Sequence, residues 1–145
     1  MLFLLLQPAL IISNFDLQTE AEQQYKSDLK ANLYLDDRRL TSGAKLGLTV
    51  EIINSSSIKQ SLRFNSSQIY NIIIKDKNDQ VVYSWAEDKL FAQSFRDIEI
   101  EAKEALYFEE KILLPELSRG DYYIMVEIKS IEKEISSKSK KLIID

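Results

Sequence analysis

The sequence predicts an all-β protein, and three kinds of observation lead to this prediction. Short segments of alternating apolar and polar residues recur from Leu29 onward, which is the pattern of strands that bury one face. Clusters of turn-forming residues separate these segments, and no long stretch has the apolar spacing of a helix. Such strands, roughly eight or nine in all, pack as two antiparallel sheets, so we expect an immunoglobulin-like β-sandwich.

The first predicted strands each bury one face. Residues 29–35 and 46–52 alternate strictly, with aliphatic side chains at the inward positions. A cluster of asparagine and serine then turns the chain, and 58–64 follows with Leu62 and Phe64 as its inward pair. The first half of the domain therefore supplies half-buried strands.

The next predicted strand, 69–75, is apolar on both faces, as expected of a strand in the interior of a sheet. Residues 77–79 (Lys-Asn-Asp) form a hairpin turn into a strand at 81–85. The stretch 86–94 has no regular pattern. The remaining strands are predicted at 95–101, 105–113, 121–128 and 138–144.

Residues 1–15 form an apolar N-terminal segment that differs from the rest of the chain. The run 1–12 is shorter than the ~20 apolar residues that a membrane-spanning helix needs. Its length suits the apolar region of a secretory signal, although the first basic residue is Lys26. It is either a signal without its basic start, which we favour, or a first segment that packs on the domain. A polar tether, 16–28, would then lead to the sandwich domain at 29–145.

The N-terminal segment also bears on where the protein is expected to act. A secretory signal favours a secreted or cell-envelope location over a cytoplasmic one. Because the rest of the chain has no comparable apolar run, we expect membrane association only through this segment, if it is retained.

Composition excludes several kinds of chemistry. The chain has no cysteine and no histidine, so no thiolate or imidazole can serve as nucleophile, base or metal ligand. Its net charge of -4 argues against a nucleic-acid partner, which clustered Lys and Arg would bind. Residues 76–79 resemble the start of a calcium loop, but the later glycine and glutamate are missing, so a hairpin tip is favoured. We therefore expect no enzyme activity, no metal and no cofactor.

The middle of the chain, 62–93, carries a run of spaced residues, LRFNSSQIYNIIIKDKNDQVVYSWAEDKLFAQ. The residues that form the pattern are Leu62, Arg63, Phe64, Ser66 or Ser67, Gln68, Tyr70, Asp76, Trp85, Phe91 and Gln93. The pattern continues downstream at Glu104, Phe108, Gly120 and Tyr122. Over roughly 29–128, the sequence resembles the BsuPI-type intracellular proteinase inhibitor family. Asn71, Tyr83 and Ala86 depart from the family pattern.

The resemblance implies a non-catalytic protein-binding domain whose partner is a serine protease. An inhibitor that mimics a substrate presents an extended loop, held rigidly so that docking loses little entropy. The irregular stretch 86–94 is the candidate loop, in which Lys89 or Leu90 would enter a specificity pocket. Trp85, Lys89, Leu90 and Phe91 are the candidate partner contacts.

Two alternatives stay open. On a structural interpretation, Phe91 and Gln93 anchor the loop in the core, and Trp85 is a core residue. On a different functional interpretation, the chain is a cell-envelope or secreted immunoglobulin-like interaction or adhesion module. The apolar N-terminal segment and the sandwich pattern favour that interpretation, and an exposed aromatic or apolar patch on a sheet face would support it.

Overall fold

The computed structural model describes residues 28–145, and this part of the chain consists of strands joined by turns and irregular loops. The apolar segment 1–15 and the tether up to residue 27 lie outside the described residues. Residues 28–145 include no helix that is long and apolar enough to cross a membrane. Within 28–145 the strands are β1 (Leu29–Leu35), β2 (Arg39–Leu40), β3 (Lys45–Asn54), β4 (Gln60–Phe64), β5 (Tyr70–Lys75), β6 (Val81–Ser84), β7 (Arg96–Ile100), β8 (Ala105–Leu113), β9 (Gly120–Ile128), β10 (Ile135–Ser136) and β11 (Lys140–Ile144).

Two sheets enclose one core. The three-stranded sheet has the order β1-β3-β8, and the larger sheet has the order β2-β11-β9-β5-β6, with β10 paired to β9. The strands pair antiparallel except for β2 and β11, which run parallel. Strands β4 and β7 pair in a separate two-stranded sheet. The protein is an immunoglobulin-like antiparallel β-sandwich, as its sequence predicts.

The core lies between the inner faces of the two sheets. Leu33 of the three-stranded sheet and Ile72 and Ile124 of the larger sheet are each 0% exposed. Leu62 and Phe64, the inward pair predicted for β4, are 2% and 0% exposed. Because alternate strand residues point to opposite faces, the predicted alternation places the aliphatic positions inside, and the structure confirms this.

The predicted strands differ from the observed ones mainly at their ends. The predicted strand 69–75 forms β5, which lies between β9 and β6, so its interior position is confirmed. The predicted strand 95–101 is wrong at its start, since β7 begins at Arg96. Arg96 pairs with Phe64, the last residue of β4, so no partner strand continues opposite Phe95. The two-residue strands β2 and β10 are too short to show an alternating pattern.

The hairpin between β5 and β6 forms at the predicted turn. The carboxylate of Asp76 accepts hydrogen bonds from the backbone N–H groups of Asn78 at 2.8 Å and Gln80 at 3.0 Å. Asp79 takes a positive φ of 63°, which asparagine and aspartate adopt more readily than most residues. The acidic residues therefore serve the turn, and nothing in 28–145 groups acidic side chains as a metal site would.

A buried asparagine joins segments at one end of the sandwich. Asn54 ends β3 and is 0% exposed. Its Nδ2 lies 2.8 Å, 3.0 Å and 3.2 Å from the carbonyl oxygens of Ile58, Ile100 and Glu101. Its Oδ1 accepts hydrogen bonds from the N–H and hydroxyl of Ser56 at 3.0 Å and 2.7 Å. This side chain ties the turn after β3 to the end of β7.

Candidate functional site

The candidate site is the loop that connects β6 to β7, residues 85–95. Its first residues are fixed to β5, because the backbone N–H of Trp85 donates to the carbonyl of Ile72 at 2.9 Å. Asn71, also on β5, accepts a hydrogen bond from the N–H of Ala86 at 3.0 Å and donates one to the Ser84 hydroxyl at 2.9 Å. The side chain at position 71, where the sequence departs from the family pattern, thus holds the start of the loop.

The first half of the loop is coiled into turns. The N–H of Glu87 donates to the carbonyl of Ser84, and the N–H of Lys89 donates to the carbonyl of Ala86, both at 3.2 Å. Turn hydrogen bonds of this spacing close overlapping four-residue turns. The residues immediately before Leu90 are therefore not extended.

The ring of Trp85 supports the middle of the loop. Trp85 is half-buried, and the centroid of its ring system lies 6.0 Å from the ring centroid of Phe91. The Nζ of Lys89 lies 4.6 Å from the centroid of the Trp85 ring, within the range of a cation–π contact. Leu90, between these two neighbours, is 101% exposed. Because the residues on both sides of Leu90 pack on one ring, its side chain is held away from the core.

Beneath Trp85, Tyr70 links the two sheets. The ring of Tyr70 lies 5.1 Å from that of Trp85 and 5.4 Å from that of Phe108 on β8. Its hydroxyl donates a hydrogen bond to the carboxylate of Glu110, also on β8. Burial, followed by that hydrogen bond and the charge of Glu110, raises the pKa of Tyr70 far above its ordinary value. The hydroxyl therefore stays protonated and holds the larger sheet to the three-stranded sheet under the loop.

The second half of the loop is fixed by Ser67. The N–H of Ser67 donates to the carbonyl of Ala92 at 2.9 Å, and the N–H of Ala92 donates to the Ser67 hydroxyl at 2.9 Å. After Ala92 the chain is exposed until it joins β7, where Arg63 and Asp97 form a two-point ion pair at 2.8 Å and 3.1 Å. The exposed residues thus lie between two attachments to the sandwich.

The structure places the predicted contact residues in two environments. Lys89 and Phe91 each contact the ring of Trp85 at the base of the loop, whereas Leu90 faces solvent. Gln93 is exposed and Phe91 is half-buried against Trp85, so of the two residues expected to anchor the loop on the structural interpretation, only Phe91 packs on another side chain. Phe95, which is 77% exposed at the end of the loop, is not among the predicted contacts, because the predicted strand 95–101 included it.

A second group of exposed aromatic side chains lies on the outer face of the three-stranded sheet. Tyr34 and Tyr107 are 48% and 62% exposed and lie on either side of Glu51. Burial raises the pKa of Glu51, but hydrogen bonds from Asn32, Tyr107 and Tyr34 outweigh it, so the pKa lies below its ordinary value. The distances to the carboxylate are 2.7 Å from Asn32 Nδ2 and 3.1 Å from the Tyr34 hydroxyl. Both tyrosines therefore satisfy a buried carboxylate of their own sheet.

Solved structures share this fold at low sequence identity. The sporulation control protein Spo0M from Bacillus subtilis matches with a TM-score of 0.54 and 15% identity, over 81% of this chain and 49% of Spo0M. The C-terminal domain of Wzt matches with a TM-score of 0.53 and 12% identity, over 79% of this chain and 70% of that domain. The chain thus spans 49% of the length of Spo0M, and identities this low show the fold alone. No protein of curated function matches the sequence.

The family comparison covers the candidate loop. The family model of BsuPI, described as intracellular proteinase inhibitor, matches residues 33–133. The match includes most of the sandwich and the whole of the loop 85–95, and it confirms the resemblance seen in the sequence. The chain belongs to the BsuPI intracellular proteinase inhibitor family.

Proposed function

We propose that this chain is a non-catalytic inhibitor that binds a serine protease through the loop 85–95. The description of the family implies a protein partner, namely a protease. The observation that supports the loop as the contact surface is Leu90, which is 101% exposed while Lys89 and Phe91 beside it pack on Trp85. Leu90 contacts the protease, and the other three side chains hold it in place.

The attachments of the loop give it the property that an inhibitor needs. Association costs free energy for every side chain and loop that must be ordered, so a loop that is already fixed binds more tightly. Asn71 fixes the start of the loop, Trp85 supports its middle, and Ser67 fixes Ala92. The chain has no cysteine, so these contacts take the place of the disulfides that stabilise many small inhibitors.

A non-catalytic role agrees with the side chains available. The sequence contains neither histidine nor cysteine, which removes the commonest general base and the thiolate nucleophile. The buried carboxylate of Glu51 is occupied by hydrogen bonds from its own sheet. The side chains of the loop therefore support recognition of a protein surface better than chemistry on a substrate.

Titration of a subtilisin-type serine protease with the full chain tests this function. We expect the residual activity to fall in proportion to the added chain and to reach zero near equimolar amounts. Leu90→Ala should raise the inhibition constant about tenfold, because truncating a leucine buried in an interface costs about 1.4 kcal/mol.

Leu113→Ala is the matched control for this experiment. Leu113 is 64% exposed on β8, outside the loop, so its truncation should leave the inhibition constant unchanged. A wild-type chain that does not inhibit the protease, or that is digested by it as fast as an unfolded protein, would contradict the proposal. If Leu90→Ala and Leu113→Ala raise the inhibition constant by the same factor, the contact with the protease lies outside the loop.

A further inference from the structure

Phe95 is a large exposed aromatic residue at the far end of the loop. It is 77% exposed, which is more than any other aromatic side chain in residues 28–145, and it directly precedes β7. An apolar ring left in water at this position contributes nothing to the core. Large exposed aromatic side chains are typical anchors of protein interfaces, where they fill a pocket on the partner.

The residues that lead to Phe95 contain no turn or bend and are attached at both ends. Residues 93–95 are exposed and run without a turn or bend. On one side, Ala92 exchanges two hydrogen bonds with Ser67, each at 2.9 Å. On the other side, Arg96 pairs with Phe64 in the sheet of β4 and β7. The backbone of 93–95 is thus free of partners in its own sandwich but held in position by its flanks.

Leu90 lacks this arrangement. The turns at Glu87 and Lys89 coil the chain directly before it, whereas a protease binds the residues that precede the cleaved bond as an added strand. Strand addition needs extended backbone with unpaired N–H and C=O groups. Residues 93–95, which contain no turn or bend, suit that requirement, whereas the turns at 87–89 do not.

We infer that Phe95, rather than Leu90 or Lys89, fills the primary specificity pocket of the protease, an assignment that rests on the proposed function. Gln93 and Ser94 then lie along the edge of the cleft, and Leu90 contacts the protease surface farther out. The partner is accordingly a serine protease with a deep apolar pocket, of the kind that accepts large apolar side chains.

This placement also identifies the peptide bond that faces the catalytic serine. Slow hydrolysis of the bond between Phe95 and Arg96 would consume one water, leaving a carboxylate on Phe95 and an amine on Arg96. The products would be fragments 1–95 and 96–145. Because β7 stays paired with β4, the two fragments would remain associated after cleavage.

A change of specificity tests the assignment in the full chain. Phe95→Lys should raise the inhibition constant for the subtilisin-type protease at least about 30-fold, the effect of losing a main anchor. The same variant should inhibit a trypsin-type protease at least about tenfold more tightly than the wild type, because the trypsin pocket carries an aspartate. Mass spectrometry of the subtilisin-type complex of the wild-type chain should find any slow cleavage after residue 95.

Two comparison variants isolate the position from the added charge. Leu90→Lys puts the same charge in the same loop, and Leu113→Lys puts it outside the loop. Neither variant should tighten inhibition of the trypsin-type protease as Phe95→Lys does. A gain with Leu90→Lys, or a Phe95→Lys variant that inhibits both proteases as the wild type does, would overturn the assignment. If the wild type inhibits the subtilisin-type protease but cleavage maps after residue 90, the assignment fails and the proposed function stands. If the wild type inhibits neither protease, both fail.

Discussion

Replacing Trp85 by alanine removes the support of the candidate loop. The ring of Trp85 lies 5.1 Å from Tyr70 and 6.0 Å from Phe91, and Lys89 Nζ lies 4.6 Å above it. Each aromatic pair contributes about 1 kcal/mol, the cation–π contact about 0.5 kcal/mol, and burial of half the indole about 1 kcal/mol. The expected loss in the free energy of unfolding is therefore about 3.5 kcal/mol, within the range for truncating a large aromatic residue.

Chemical denaturation followed by circular dichroism measures this loss. Trp85 is the single tryptophan of the chain, so its fluorescence cannot report on the alanine variant. Trp85→Phe is the matched control, because a smaller ring keeps a contact with Tyr70 and should cost about 1 kcal/mol. In the absence of denaturant, where Trp85→Ala is still folded, its inhibition constant should rise at least about tenfold because the loop must be ordered on binding.

Two results would contradict this role of Trp85. One is a Trp85→Ala variant whose free energy of unfolding falls by less than about 1 kcal/mol, since Trp85 would then not be packed as described. The other is a variant that is destabilised as expected but still inhibits like the wild type. That result would mean that the ring stabilises the sandwich without holding the loop.

Three further expectations concern the sandwich itself. Asn54→Ala should lower the free energy of unfolding by about 3 kcal/mol, because it removes a buried amide that donates to the carbonyl of Ile100 and accepts from the N–H and hydroxyl of Ser56; a loss under about 1 kcal/mol in denaturation would contradict this. The pKa of Glu51 is lowered in the folded state, so its stabilisation is present above its unfolded pKa and is lost as pH falls through the folded pKa. Glu51→Gln should therefore flatten the acid side of the stability profile, and an unchanged slope would count against the hydrogen bonds described. The pKa of Tyr70 is raised, so its contribution to stability is full below its unfolded pKa and is lost as pH rises through the folded one. Because Tyr34, Tyr83 and Tyr107 also have raised pKa values, Tyr70→Phe should make the alkaline decline in stability less steep rather than abolish it, and an unchanged slope would contradict the role of Tyr70.

The sequence predicts most of the strands because a half-buried strand leaves a period of two in the residue types. That signal locates β3 well, since an apolar residue occupies every second position from Leu46 to Ile52. The period of two does not reveal β2 and β10. Each of these strands has two residues, which pair only because longer neighbouring strands bring them to a sheet edge. The predicted strand also begins one residue before β7, because the apolar Phe95 adjoins the alternating residues although β4 has already ended opposite it.

The sequence also indicates which segment forms the loop, but not how the loop is held. The stretch 86–94 is irregular, and the family pattern includes Trp85 and Phe91, so the loop and its aromatic residues could be identified. The stacking of Trp85 on Tyr70 and the bond between Ala92 and Ser67 join residues that are distant in sequence. Contacts of this kind depend on how the strands are ordered in the sheets, which composition and spacing do not specify.

On the proposed function, the loop 85–95 enters the active-site cleft of a serine protease. The most direct test measures calorimetric binding of the full chain to a subtilisin-type protease, free and with a covalent peptide inhibitor filling its cleft. We expect equimolar binding to the free protease and no binding to the blocked one, because the peptide occupies the space of residues 93–95. Equal binding to both forms would contradict the claim, since the chain would then hold the protease at a surface outside its cleft.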